Sequence, residues 1–225
     1  FEFLKYLCLV LSGTLAGDVI YRALQTRPAD NGPQHSSNGP LTGLLVALMV
    51  ALIGVQMWGL FVREVGWTVL LSVALCVLTG WLMKRLHSAE QPLLKELFVL
   101  GAALLFIGLI AEPLEGGIKK DHATISFFFV TGGLATFVLI AALALELRFG
   151  IRFRLLEASG ANPMFAYTAS SYLITPLATL TTLSVWIEKF ATLTAWCGFL
   201  RGVLFALLVM AVTYPFTRKN YYWKS

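Results

Sequence analysis

Residues 92–145 read PLLKELFVLGAALLFIGLIAEPLEGGIKKDHATISFFFVTGGLATFVLIAALAL. Two apolar runs flank one dense polar segment. Each run has the length a bilayer demands, since about 20 mostly apolar residues cross about 30 Å of hydrocarbon. Pro92 stands where a first helical turn accepts a proline. The polar segment gathers two lysines, two glutamates, an aspartate and a histidine between helices that otherwise carry almost no charge. The pair of runs predicts two membrane-spanning helices, Pro92 to Ile110 and Ile125 to Leu147, joined at one membrane edge.

The same grammar extends in both directions. Upstream, Phe1 to Leu24, Leu41 to Val62 and Trp67 to Met83 are apolar. They are separated by the loop TRPADNGPQHSSNGP and by a tight turn at Arg63-Glu64-Val65-Gly66. Downstream, Phe165 to Val185 and Trp196 to Tyr214 read as further spans, with Pro176 expected to kink or divide the first and Pro215 to close the second. The expectation is an all-α polytopic bundle of about seven transmembrane helices, with residues 1–225 as one transmembrane domain. The chain opens FEFLKYLCLVLSG, without an initiator Met or the charged start and small-residue cleavage site of a signal peptide. It reads as the C-terminal part of a longer protein.

Composition agrees. Hydrophobic residues make up 58% of the 225, charged residues only 13%, against about a quarter in soluble domains. Mean hydropathy is +0.77. The net charge of +5 comes from lysines and arginines at span ends, so it is a topology signal and no nucleic-acid footprint. With seven spans, Arg22, Arg27, Lys84, Arg85, Lys95, Arg148, Arg152, Arg154, Arg218, Lys219 and Lys224 fall on one side. Lys5, Arg63, Lys119, Lys120 and Lys189 fall on the other, and Arg201 lies within a span. The richer side is predicted to be cytoplasmic, with the C-terminus there and the GGIKKDHAT loop outside.

Cys8, Cys76 and Cys197 are far apart and show no metal-ligand spacing; they read as buried thiols. No metal is expected. Among charges near spans, Asp18 is placed to reach the headgroups and Glu112 to face the bundle, and Gln56 is a candidate for an interhelical hydrogen bond. The candidate substrate-binding group is Glu115, Lys119, Lys120, Asp121, Thr124 and Ser126, a polar rim for an anionic or sugar ligand. Thr124 is equally suited to cap the next helix. His122 is a conceivable general base without a triad or metal partner, and His35 and His87 read as loop residues. Asn162-Pro163 suits a helix start, and the Asn162 amide is the candidate for a ligand at the cytoplasmic mouth. The catalytic residues are not identified.

The stretch EGGIKKDHATISFFFVTGGLA resembles a signature of bacterial proteins related to heparan-alpha-glucosaminide N-acetyltransferase. GTLAGDVIYR, SGANPMFAY and PFTRKNYYWKS fit the same group. The resemblance covers most of the chain. It implies a transmembrane acyltransferase of the bacterial inner membrane that moves an acetyl group from cytoplasmic acetyl-CoA to an amino sugar across the bilayer. Acetyl-CoA would be the co-substrate, with Asn162 as its candidate contact. A homodimer is the candidate assembly. The family's catalytic histidine lies near its N-terminus, after the first span, and has no counterpart here. The chain thus reads as the C-terminal half of such a protein, inactive alone. A sugar transporter or permease also fits Pro- and Gly-interrupted spans with isolated charges, and a structural membrane subunit is the third reading.

Overall fold

The computed structural model describes residues 3–26, 39–86, 91–118, 124–150 and 154–223. Every regular element among them is helical. The chain divides into two compact units, Phe1–Ile151 and Arg152–Ser225.

The first unit contains α1 (Phe3–Thr26), α2 (Gly39–Val62), α3 (Val65–Arg85), α4 (Gln91–Ala111) and α5 (Ile125–Phe149). Apolar residues surround α2 to α5 on all sides, as expected of helices whose solvent is hydrocarbon. Phe61, Val77 and Ile110 are well exposed, which water would penalise and lipid does not. Helix α5 is the centre of the unit and packs on α1, α2 and α4. Leu97, Leu105, Phe137 and Ile140 lie in the core, with Leu45, Met49 and Leu52 of α2.

The α4–α5 seam is built on glycines. A methyl group on Gly133 would lie 2.8 Å from the Gly101 carbonyl oxygen and 2.9 Å from the Leu105 amide nitrogen. Within a membrane, helix association draws on van der Waals packing, and small residues let backbones come this close. The α2–α3 pair adds polar contacts. The Thr68 hydroxyl lies where a methyl on Gly59 would sit, 1.9 Å away. Ser72 donates to the Thr68 carbonyl, and Gln56 of α2 donates through Nε2 to the Ser72 hydroxyl. The interhelical hydrogen bond expected of Gln56 is present.

Among the described residues, five helical stretches are long and apolar enough to cross a bilayer: Pro40–Val62, Val65–Arg85, Gln91–Glu115, Ile125–Glu146 and Leu200–Arg218. Helix α1 has the length, 24 residues, but Ser12, Thr14, Asp18 and Arg22 dilute it. Asp18 and Arg22 pair with each other one turn apart.

The second unit departs from the expected pattern. The run expected to span from Phe165 to Val185 is broken. It consists of α7 (Pro163–Thr168), a π-helical turn (Ala169–Ile174) and α8 (Thr175–Leu180). Pro176 has no amide hydrogen to offer the preceding turn, and the widened turn lies directly before it. There the Thr175 hydroxyl and amide both donate to the Ser170 carbonyl. Thr182, with φ 57°, then redirects the chain into α9 (Leu183–Leu193). Eleven residues reach only about 16 Å, too short to cross. Pro215 was expected to end the last span, yet α10 (Ala195–Arg218) runs through it and ends at Arg218, two residues before the left-handed Asn220. A proline near a helix end removes one hydrogen bond, which the last turn tolerates. Helix α10 packs on α9, on α7 and on α6 (Arg154–Ala161).

Candidate functional site

The polar junction between α4 and α5 is assembled by backbone chemistry. The Glu112 amide donates to Gly108 at 3.0 Å and finishes α4. Pro113–Glu115 forms a single 3₁₀ turn. Gly116 and Gly117 follow with φ of 67° and 107°, conformations open to glycine and costly for other residues. This double reversal carries the Glu115 side chain to the start of α5. Its two oxygens accept from the Ile125 amide at 2.9 Å and the Ser126 amide at 2.8 Å. The Thr124 hydroxyl accepts from the Phe127 amide at 3.3 Å, and the Ser126 hydroxyl donates to Thr124 at 3.0 Å. The first turn of a helix presents unpaired donors and a positive dipole end, and a carboxylate there satisfies both.

Three of the six residues expected to bind substrate are thus brought together: Glu115, Thr124 and Ser126. Hydrogen bonds link them to one another and to the backbone of α5. Lys119, Lys120 and Asp121 lie outside the described residues, as do His35, His87 and His122.

A charge that sequence reasoning left out of this group joins it. Arg63, with φ 62°, sits in the turn between α2 and α3. A methyl on Gly117 would lie 3.9 Å from an Arg63 guanidinium nitrogen and 3.9 Å from Glu112 Oε1. A guanidinium and a carboxylate therefore flank the notch that Gly117 leaves. Among the described residues the two do not form an ion pair. The sequence signal was alternation: the second and fourth inter-span loops must emerge on the same side.

Asn162 belongs to the second unit and is 1% exposed. It precedes α7, but its side chain makes no cap there. Its Nδ2 donates to the Tyr221 carbonyl at 2.8 Å, and its Oδ1 accepts from the Trp223 amide at 3.3 Å. Both ends of the amide hold the C-terminal tail. In the same unit the Phe165 and Phe216 rings meet at a tilt of 36°, with centroids 4.3 Å apart. Among the described residues no three His, Cys, Asp or Glu side chains gather as metal ligands.

The helices and their lipid-facing surfaces define an all-α polytopic integral membrane protein. No family model matches the chain, and no curated protein or solved structure gives a match either.

Proposed function

We propose that the chain is the acceptor-holding, C-terminal part of a transmembrane acyltransferase. In this reading an acetyl group passes from cytoplasmic acetyl-CoA to an amino sugar on the other side of a bacterial inner membrane. The observation that supports it is the Gly117 notch, where Arg63 and Glu112 bring opposite charges to a span end without pairing among the described residues. An amino sugar at neutral pH offers an ammonium group and several hydroxyls. Glu112 suits the first, Arg63 can donate to the second, and such charge-assisted bonds are about twice as strong as neutral ones. Gly117 itself belongs to EGGIKKD, the stretch that carries the family resemblance, and Lys119, Lys120 and Asp121 follow it in sequence. On the donor side the resemblance alone speaks for acetyl-CoA. With its amide committed to the tail, Asn162 would act there by positioning residues 221–223.

A transporter is the second reading, favoured by the break through Ala169–Ile174 and Pro176, because discontinuous spans build transport sites. The two readings separate in vesicles that contain the full-length protein, glucosamine inside and labelled acetyl-CoA outside. Label on the enclosed sugar supports acyl transfer. Sugar efflux without label supports transport.

A further inference from the structure

The groove between α6 and the end of α10 takes no part in the notch or the tail clasp. Arg154, Glu157, Ala158 and Ala161 recur at helical spacing along one face of α6. Tyr214, Thr217 and Arg218 line the opposite wall from α10. The space between them is an open groove of about 320 Å³. Its floor is closed, since Ala158 and Thr217 are buried and the Thr217 hydroxyl donates to the Ala158 carbonyl at 3.0 Å. Its rim is charged and exposed: Arg154, Glu157 and Arg218. Among the described residues none of these three side chains has an ion-pair or hydrogen-bond partner.

Two guanidinium groups against one carboxylate give the groove a net positive charge. Like charges that share a groove repel, and an anion between them removes that cost. A guanidinium presents a planar fork of donors that matches phosphate oxygens, and the Tyr214 phenol adds a further donor. Arg218 closes the last turn of an apolar helix whose stretch Leu200–Arg218 can cross a bilayer. The groove therefore opens where a span ends, at the depth of lipid headgroups.

We propose that this groove binds a phosphate group, held between Arg154 and Arg218 and opposed by Glu157. The phosphate comes either from the headgroup of an anionic phospholipid or from a soluble phosphate ester. The site requires only the second unit's own residues and does not depend on acetyl transfer.

The test uses the purified, delipidated full chain and two probes, phosphatidylglycerol and inorganic pyrophosphate. Binding is read by native mass spectrometry and by thermal shift. At least one probe should bind, and raised salt should weaken it. Arg154→Ala and Arg218→Ala should each weaken binding roughly fivefold, the effect of one basic residue at an anionic surface. Glu157→Gln should act in the opposite direction and tighten it. Binding of the lipid alone assigns the site to a headgroup; binding of both probes assigns it to phosphate itself. The proposal is overturned if neither probe binds, if the two arginine variants bind like the parent, or if Glu157→Gln fails to tighten binding. Should the arginine variants not fold, the sign of the Glu157→Gln effect decides alone.

Discussion

The carboxylate of Glu115 holds the amide of Ser126 at 2.8 Å, across an eleven-residue separation in sequence. One side chain in the 3₁₀ turn after α4 thereby closes the first turn of α5. Glu115→Ala should lower stability by about 1–2 kcal/mol, the usual cost of a lost helix cap. Glu115→Gln keeps one acceptor oxygen and should lose less. Thermal unfolding of the purified protein in detergent reads both. Equal stability of Glu115→Ala and the parent would mean that water caps α5 just as well.

Asn162 predicts a loss of a different kind. Asn162→Ala removes both hydrogen bonds to the tail, and each such bond contributes about 0.5–1.5 kcal/mol. The expected outcome is release of the tail, seen as faster proteolytic trimming after Arg218 before any change in helix content. Trimming at the parental rate would show that the tail stays in place without the amide.

The glycine seam gives a paired prediction. Gly133→Ala drives a methyl into the Gly101 and Leu105 backbones, which cannot step aside as a side chain can. A loss of about 1–3 kcal/mol or more is expected. Gly54→Ala on α2 meets nothing within 4 Å and should be neutral or stabilising by up to about 1 kcal/mol. Thermal shifts of the two variants side by side test the seam. A mild Gly133→Ala would mean that α4 and α5 separate readily.

The Gln56–Ser72 contact is polar, buried and incomplete, since Gln56 Oε1 has no partner among the described residues. Ser72→Ala alone leaves Nε2 unpaired as well and should cost about 1 kcal/mol, in the range of interhelical hydrogen bonds in membranes. Adding Gln56→Leu should restore most of that loss, because removing both partners is close to neutral. A double-mutant cycle measures the coupling. Additive losses would show that the two side chains act independently.

Helices α2 to α5 of the first unit were legible as spans because lipid imposes a simple rule. Leu41 to Val62 became Gly39–Val62, and Pro92 to Ile110 became Gln91–Ala111; only the polar ends shifted. Thr124 and Gln56 were also readable, each being a polar residue in a telling place. The second unit was less so. Hydropathy does not register the left-handed turn at Thr182, so the expected span from Phe165 to Val185 ran on into the start of α9. Pro215 looked like a stop, but a stop signal near a helix end is weak. The long-range partnerships were out of reach for a different reason. Glu115 and Asn162 have the residue types of ligand-binding groups, and nothing local shows that their partners are the backbone of residues 125–126 and 221–223.

The most direct measurement of the central claim is the amino-sugar dependence of acetyl transfer by the full-length protein with Glu112→Gln or Arg63→Ala. If the Gly117 notch holds the acceptor, Glu112→Gln should raise KM for the amino sugar about tenfold, since a hydrogen bond to a charged group contributes about 1.5–3 kcal/mol. KM for acetyl-CoA should stay unchanged. Arg63→Ala should raise the acceptor KM in the same direction. An acceptor KM equal to the parent's in both variants, at full activity and unchanged thermal stability, would contradict the account.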